Sequence, residues 1–418
     1  MEEGRRKENA AVSGSEPAPV GRRALLIAPQ PWFAWRGSPI RVAFDALALT
    51  RAGWRVDLLV MPFGEDRPMP GVTLHRSPNP WGIRGLSIGP SAGKALLDVS
   101  LFRAAVRLAR ERRPAVVHGI EEAGAMAAAI ARRIGARSIF EKHSDPASYR
   151  RGPLRNAVMW AYGRLERWAV RRTDATIGTG PALVEQARAA CPGHPVYHIF
   201  DIPSSLVEAD PARVAEARAR LGAREDEVWA IYVGSFAAYQ GIELLFESIP
   251  RVCRAERRAR FAIVGGSPSE IAERQAALAA AGVNEAVRFL GHIPPDDLPQ
   301  YLAAADLLLS PRIAGRNTPL KLLDYLKAGR AIVATDTEAN RLILNEELAE
   351  LAAPNPEAFA AAIRRLASDP ARRAALGERG GRLIRERYNF DEFARRLRAC
   401  YDDVSGPARP GASEPPWT

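Results

Sequence analysis

Short apolar runs that alternate with helical patterns constrain the fold of this chain more than any other feature. Each run has the length of a buried strand, and most are followed by an amphipathic or alanine-rich stretch of helical length. In the first half the runs are "ALLIA" (24–28), "VDLLVM" (56–61), "AVVHG" (115–119), "SIFEKH" (138–143) and "ATIGT" (175–179). In the second half they are "VWAIYVG" (228–234), "FAIVGG" (261–266), "VRFLGHI" (287–293), "DLLLSP" (306–311) and "AIVATD" (331–336). This alternation predicts an α/β protein of two doubly wound, mostly parallel domains.

The rhythm breaks near residues 200–226, where "DIPSSLVEADP" separates the two halves. We therefore predict a first domain over 21–200 and a second over 201–385. Residues 1–20 and 405–418 are polar and rich in Pro, Gly and Ser, so we predict that both tails are disordered.

Positive charge is concentrated in the first half of the chain. The whole chain has a formal net charge of +11, whereas residues 21–200 hold 27 Lys/Arg against 13 Asp/Glu. This excess predicts an anionic partner for the first domain. Neither zinc-finger spacing nor an RNA-binding aromatic motif accompanies it, so we expect no nucleic-acid partner.

Three widely separated cysteines argue against a disulfide framework and for a reducing, cytoplasmic location. The N-terminal 23 residues lack the apolar core of a secretory signal. No apolar run approaches the roughly 20 residues that span a bilayer.

The stretch "GRNTPLKLLDYLKAG" (315–329) raises an electrostatic question. Thr318 can cap a helix and Pro319 can begin it, which places Lys321 in the first turn, where the macrodipole disfavours a cation. An anion such as a diphosphate would reverse that preference. Asp324 lies on the same side of the helix and can accept hydrogen bonds from a ribose. The alternative is a surface ion pair between Lys321 and Asp324.

A similar helix start follows the first strand. Ser38 can cap and Pro39 can begin a helix after Gly37, so each domain presents a helix N-terminus as an anion site. The alternative is that both are simply good helix starts that need no ligand.

Two histidines close strands of the first half. His118 ends "AVVHG", with Glu121 just after it, and His143 ends "SIFEKH". At the carboxyl end of a parallel strand a histidine can act as a general acid or base, or it can bond a neighbouring backbone carbonyl. His118 and His143 are too far apart in sequence for metal-ligand spacing and no Asp-x-Asp occurs, so we predict no metal site.

Several motifs are missing. The sequence contains no G-x-G-x-x-G after a strand and no G-x-x-x-x-G-K-[ST], and no G-x-S-x-G elbow directly follows any of the predicted strands. Dinucleotide-linked redox chemistry, P-loop phosphoryl transfer and hydrolase chemistry are therefore disfavoured.

The order of these segments resembles the GT-B glycosyltransferases of glycosyltransferase family 4 over roughly residues 22–404. The matching segments in the first half are "RGSPIRVAFDALALTRAGWRVDLLV", "AVVHG" and "RLERWAVRRTDATIGTG". Those in the second half are "YVGSFAAYQGIELLFESI", "VRFLGHIPPDDLPQYLAAADLLLSP" and "NTPLKLLDYLKAGRAIVATD". The resemblance implies two Rossmann-like domains facing a cleft, with a C-terminal helix (386–404) that returns to the first domain.

The resemblance also implies a donor site, with departures from the family pattern. Two glutamates separated by seven residues are usual, and here Arg316 and Asp324 hold those places. Ser235 and Gln240 replace an Arg and a Lys that bind diphosphate in the family. We interpret this as a subtype with an "NTPLK" motif, in which phosphate charge compensation has moved to the facing helix. The predicted donor-binding residues are Gly37, Gly234, Ser235, Gln240, Arg316, Asn317, Thr318, Pro319, Leu320, Lys321 and Asp324. The predicted catalytic residue is His118, and Glu121 and His143 are predicted on the acceptor side.

The resemblance implies hexose transfer from a UDP- or GDP-sugar to a glycan or lipid-linked acceptor, in cell-surface polysaccharide or glycolipid synthesis. It further implies retention of anomeric configuration, with no metal and no cofactor. The replaced glutamate and cations leave open a non-catalytic scaffold that binds sugar nucleotides or glycans, and the same fold also serves sugar-nucleotide epimerases.

An arginine-rich helix predicts a location at the inner face of the membrane. In "RRGPLRNAVMWAYGRLERWAVRR" (150–172), an apolar stripe recurs at spacings of three and four. Its members are Leu154, Val158, Ala161, Leu165 and Trp168. Such a helix can lie on an anionic membrane, or it can pack the stripe on its own sheet.

Overall fold

The protein folds into two parallel α/β domains in a computed structural model that describes residues 22–32, 37–85, 91–146, 152–315 and 319–406, with only the backbone described at 153–155. The strands are β1 (Arg23–Ala28), β2 (Arg55–Val60), β3 (Val72–Arg76), β4 (Val116–Ile120), β5 (Arg137–Lys142), β6 (Ala175–Gly178), β7 (Val196–His198), β8 (Val228–Val233), β9 (Ala259–Val264), β10 (Val287–Gly291), β11 (Leu307–Ser310), β12 (Ala331–Thr335) and β13 (Ala349–Ala352). The predicted α/β class with two doubly wound domains is confirmed.

The α-helices alternate with these strands. They are α1 (Gly37–Arg51), α2 (Ala92–Arg112), α3 (Ala123–Ile134), α4 (Pro153–Arg172), α5 (Pro181–Ala190), α6 (Pro211–Leu221), α7 (Ile242–Ala255), α8 (Pro268–Ala280), α9 (Leu298–Ala304), α10 (Lys321–Lys327), α11 (Glu338–Arg341), α12 (Pro356–Ser368), α13 (Pro370–Glu386) and α14 (Phe390–Ser405).

Both sheets have the same doubly wound plan. The first runs β3-β2-β1-β4-β5-β6-β7 and the second β10-β9-β8-β11-β12-β13, with every adjacent pair parallel. The strand order reverses between β1 and β4 in one sheet and between β8 and β11 in the other. Ligands bind beyond the carboxyl ends of the strands at such points, so each domain contributes one candidate site.

Helices cover both faces of each sheet. In the first domain α2 and α3 pack on one face, while α1 and α14 pack together on the other. Thus the last helix of the described chain lies against the first domain, although it follows the second in sequence. Its buried residues include Phe393, Leu397 and Tyr401, which join the apolar core beneath β1 and β4.

The two domains meet at the ends of their sheets. A Cβ on Gly37, at the start of α1, would overlap the Cδ1 atom of Leu320, which comes directly before α10. Arg67 of the first domain forms an ion pair with Asp296 of the second. The close approach of the facing domain therefore leaves room for a side chain at position 37 only if the Leu320 side chain shifts.

Candidate active site

Glycines let the strand ends of the second sheet approach each other closely. Gly234 follows β8 with φ of 154°, and a Cβ on Gly265 would overlap the carbonyl oxygen of Gly234. The Gly265 N–H donates to the carbonyl of Gly291 at the end of β10, at 2.7 Å. Backbone rather than side chain therefore forms the floor of the site beside β8.

The loop after β8 and the loop after β11 are held together by backbone contacts. The N–H groups of Ile313 and Ala314 donate to the Tyr239 carbonyl at 3.1 and 3.3 Å. Gly241 has φ of 73°, and a Cβ there would overlap the Pro311 carbonyl. These contacts place both loops at the point where the strand order reverses.

Lys321 projects from the start of α10 into this junction. Its ammonium donates to Gln240 Oε1 at 3.1 Å and lies 4.6 Å from the centre of the Tyr232 ring. Burial, with a smaller contribution from Arg312, lowers the pKa of Lys321 to about 7. The ammonium therefore has a neutral amide and an aromatic face as partners, where a carboxylate would be the usual one.

Arg312 is the second cation of the junction and is 8% exposed. Its Nε donates to the Ala314 carbonyl at 2.8 Å, and its guanidinium carbon lies 5.4 Å from the centre of the Tyr239 ring. Burial lowers its pKa. Within the described ranges, neither Arg312 nor Lys321 lies within 4.0 Å of a carboxylate.

Asp324 does not pair with Lys321. Its two carboxylate oxygens accept hydrogen bonds from the Ser204 N–H at 2.6 Å and from the Ser204 hydroxyl at 2.8 Å. The alternative of a surface ion pair on this helix is therefore wrong. Burial raises the pKa of Asp324 to about 6 in spite of the Ser204 bonds, which favour the charged form.

The helix starts later than the sequence predicts. α10 begins at Lys321, and Leu320 comes just before it with helical dihedrals. Pro319 therefore is not the first helical residue; its carbonyl accepts from the Leu322 N–H at 2.9 Å. The predicted site residues Arg316, Asn317 and Thr318, including the predicted cap, lie outside the described residues.

The prediction that Ser38 caps α1 is also wrong, because the helix already includes Gly37. The Ser38 hydroxyl instead lies 2.5 Å from His143 Nδ1, and His143 Nε2 lies 2.8 Å from Glu141 Oε1. This chain of contacts links the start of α1, which touches Leu320, to the carboxyl end of β5.

His118 is not at the mouth of the cleft. β4 continues to Ile120, so His118 lies in mid-strand with no exposed surface. Its Nδ1 is 3.0 Å from the Tyr401 hydroxyl, and its Nε2 is 2.9 Å from Glu141 Oε2. The prediction that this histidine sits beside the transferred sugar is wrong, because the strand end lies two residues further on.

Glu121 occupies the strand end that the sequence assigned to His118. It has φ of 51°, an uncommon conformation for a residue other than glycine. Its Oε2 is buried and has no hydrogen-bond partner in the part of the chain that the structure describes. Strained backbone and an unbonded carboxylate oxygen together mark this position as a candidate functional residue.

Sequence reasoning missed a charged network inside the first domain. Arg41 of α1 forms an ion pair with Glu141, and its Nη1 donates at 3.1 Å to both Asp201 and the Phe200 carbonyl. Arg41 and the two histidines lower the pKa of Glu141 well below its usual value, whereas burial raises that of Asp45 well above it. In the sequence, the only indication of this network was the presence of polar residues on the face of α1 that packs against the sheet.

Two family models match the chain. "Glycosyl transferase 4-like domain" matches residues 37–199, and "Glycosyl transferases group 1" matches residues 227–369. The α-D-kanosaminyltransferase of Streptomyces kanamyceticus is 26% identical over 64% of this chain and 66% of its own length. The chain thus aligns with slightly less than two thirds of that relative.

Solved structures share the whole fold. Sucrose-phosphate synthase from Thermosynechococcus elongatus has a TM-score of 0.71 at 20% identity and covers 91% of this chain and 98% of its own. HepE from Anabaena in complex with UDP has a TM-score of 0.69 at 14% identity and covers 91% of this chain and 100% of its own. Two doubly wound domains facing each other across a cleft define a GT-B protein. The two family models specify the class further: the chain belongs to the GT-B glycosyltransferases.

The described residues contain no group of three His, Cys, Asp or Glu side chains arranged to hold a metal ion. No helix among them is both long enough and apolar enough to cross a bilayer.

Proposed function

We propose that this protein transfers a hexose from a nucleotide sugar to a glycan or lipid-linked acceptor in cell-surface polysaccharide or glycolipid synthesis. The donor is a UDP- or GDP-sugar, the anomeric configuration is retained, and neither metal nor cofactor takes part. The UDP bound in the HepE structure supports the donor class, and the sugar transfer in the name of the kanosaminyltransferase supports the reaction class.

The observation that carries the proposal is the pair of cations at the β8/β11 junction. Lys321 and Arg312 are held in place without a carboxylate partner among the described residues, and burial lowers the pKa of both. Keeping cations there is unfavourable unless an anion binds. A diphosphate would supply that anion, because it carries charge on both phosphoryl groups and can contact both side chains at once.

Lys321 also accounts for the unusual loop after β8. The family resemblance implies cations at positions 235 and 240. This chain has instead Ser235, which is exposed, and Gln240, whose Oε1 is 3.1 Å from Lys321 Nζ. The Lys321 ammonium, which projects from α10, thus lies at the tip of the Gln240 side chain. Gly234 leaves room for the Tyr232 ring that contacts this ammonium, since a Cβ there would lie 2.8 Å from the Tyr232 hydroxyl oxygen.

In this scheme the two cations act on the leaving group. Negative charge grows on the diphosphate as the glycosidic bond to the sugar breaks, so fixed cations stabilise the transition state more than the ground state. Asp324 accepts from the ribose, and Ser204 fixes its orientation. Closure of the domains at the Gly37–Leu320 contact keeps water from the reacting sugar.

On the acceptor side, Glu121 has a carboxylate oxygen that can accept a hydrogen bond from a hydroxyl group of the acceptor. His143 has both ring nitrogens engaged, by Ser38 and Glu141, and therefore positions α1 rather than the acceptor. Glu121 retains an unbonded oxygen and lies at the adjacent strand end.

The test combines binding with turnover. UDP, GDP, ADP and dTDP, free and as sugar nucleotides, are screened by thermal shift in EDTA, and a ligand at about 100 times its Kd raises stability by about 2.7 kcal/mol. Release of nucleoside diphosphate is then followed with lipid and glycan acceptors. A shift that requires Mg²⁺ or Mn²⁺ would contradict the metal-free scheme, and the absence of any shift would contradict donor binding.

The second candidate is a non-catalytic scaffold, which the replacements at Ser235, Gln240 and Arg316 favour. It predicts stabilisation by a sugar nucleotide with no nucleoside diphosphate released in the presence of any acceptor. Exchange of the hydrogen at the sugar C2 without an acceptor would point instead to epimerase chemistry.

A further inference from the structure

The outward face of α4 is apolar and uncovered. Val158, Leu165 and Trp168 are 44%, 43% and 41% exposed, and Trp160 is 57% exposed. Ala161 of the same stripe is exposed as well. The inward face consists of other residues, namely Met159, Glu166, Ala169 and Val170. The alternative that this stripe packs on its own sheet is therefore wrong for the described side chains.

The charged residues on the same face of α4 are all basic. Arg164, Arg167, Arg171 and Arg172 are exposed along α4. The acidic residue of this helix, Glu166, faces inward and accepts a hydrogen bond from Lys142 at 2.7 Å. The Arg164 guanidinium carbon lies 5.1 Å from the centre of the Trp160 ring, so cation and aromatic ring form one patch.

We propose that this α4 face docks on an anionic lipid bilayer. Tryptophans flanked by arginines suit the headgroup region, where the rings lie at the boundary with the acyl chains and the guanidinium groups contact lipid phosphates. This patch combines basic and apolar side chains, and α4 contributes no outward acid to it, so its charge is complementary to an anionic surface.

Docking through α4 would bring the active-site cleft close to the lipid. α4 begins soon after the carboxyl end of β5, where Glu141 and His143 lie beside the start of α1. The same strand edge holds Glu121, the proposed acceptor-side group. A lipid-linked acceptor would therefore reach the cleft along the membrane, and this consequence alone rests on the proposed function.

The test is co-sedimentation of the full chain with phosphatidylcholine vesicles of rising phosphatidylglycerol content, at low and high salt. We expect binding that grows with anionic lipid and weakens with salt, since screening shortens the reach of the charges. A triple variant, Trp160→Ser, Leu165→Ser and Trp168→Ser, removes the apolar component. The double variant Arg164→Gln and Arg167→Gln removes two charges and should weaken binding by about tenfold or more.

Matched controls come from the second domain. Leu342 is 43% exposed, and Arg254 and Arg257 are exposed on and just after α7. Leu342→Ser, and Arg254→Gln with Arg257→Gln, should bind vesicles like the wild type. All variants should keep the thermal shift with nucleoside diphosphate, so a loss of docking is separable from a loss of donor binding.

Three outcomes would overturn the proposal. One is a lack of binding to anionic vesicles at low salt. Another is equal binding by the wild type and the triple α4 variant. The third is a dimer of the wild type that the triple variant abolishes, because the patch would then be covered by a second copy of the chain.

Discussion

Buried cations have different partners in the two domains. In the first domain Arg41 pairs with Glu141 and Asp201, and Lys142 pairs with Glu166. In the second domain, Lys321 and Arg312 have amide, carbonyl and aromatic partners only, as far as the structure describes the chain. The first arrangement stabilises the fold, whereas we propose that the cations of the second domain bind an anionic ligand.

This difference between the domains follows from the free energy required to bury a charge. A buried ion pair roughly balances desolvation against attraction, and the loss of one partner leaves the other uncompensated. Asp45 and Glu141 share this network with opposite pKa shifts, as expected for adjacent carboxyl groups of which only one can ionise easily. In the proposed donor site, a bound anion would compensate the charges of Lys321 and Arg312.

The largest expected effect is on the first network. Glu141→Gln leaves Arg41 and two histidines without their shared carboxylate and should lower the free energy of unfolding by about 3–5 kcal/mol. For a domain of this size that corresponds to a fall in Tm of about 10 °C. Thermal melts followed by circular dichroism measure it.

Glu350→Gln is the matched control for that prediction. Glu350 is buried and pairs with Arg365 and Arg372, but those arginines are 56% and 50% exposed. Water can replace the lost partner, so the expected cost is below about 1 kcal/mol. If Glu141→Gln and Glu350→Gln lowered the free energy of unfolding equally, the distinction between a buried network and a surface network would be wrong.

The second-largest effect is expected for the two cations of the cleft, whose removal should not lower the stability of the ligand-free protein. Lys321→Met and Arg312→Gln should each weaken nucleoside diphosphate binding by about 10- to 100-fold, as for the loss of a charge-assisted phosphate contact. Removal of an uncompensated cation should leave the Tm of the ligand-free protein unchanged or raised. Calorimetric titration and thermal melts on the same samples measure both quantities.

The exposed Arg254→Gln serves as the control and should change neither quantity. If Lys321→Met lowered the Tm without changing affinity, the ammonium would be a structural partner of Gln240 and Tyr232. The contrast between the two domains would then disappear.

The sequence predicts the general fold well because buried parallel strands are continuous apolar runs. It misses β3, β7 and β13, which lie at sheet edges; β3 and β7 are short and only half-buried. It identifies Lys321 because an N-terminal cation conflicts with the helix dipole, which is a local signal.

Long-range partners were not predictable in the same way. Tyr401 meets His118 across 283 residues, and Ser204 meets Asp324 across 120 residues. A two-residue error in where β4 ends placed His118 at the strand end, although Glu121 lies there. Only the three-dimensional packing of α14 shows that this histidine is buried.

The pH dependence of binding sharpens the assignment of Lys321. Its pKa of about 7 in the free protein means that much of this side chain is neutral at pH 8. A bound diphosphate favours the ammonium and raises that pKa, so binding takes up a proton and affinity falls as pH rises above 7, by at most about tenfold per pH unit. Titration at pH 8 in two buffers of different ionisation enthalpy measures the uptake. Equal uptake by the wild type and Lys321→Met would assign the proton to another group.

The smallest effect is expected at Asp324. Asp324→Asn retains an acceptor for the Ser204 N–H but loses the charge, so nucleoside diphosphate affinity should fall by about three- to tenfold, the difference between a hydrogen bond to a charged acceptor and one to a neutral acceptor. The raised pKa of about 6 determines how stability changes with pH, because the folded wild type binds a proton at Asp324 more readily than the unfolded chain does. The wild type should therefore become more stable relative to the variant as pH falls from about 7 to 4. Titrations at pH 7.5, above the pKa of about 6, and melts across this range measure both. A variant with unchanged affinity for nucleoside diphosphates but a much lower Tm would assign Asp324 to the domain linker through Ser204, and the ribose would need another acceptor.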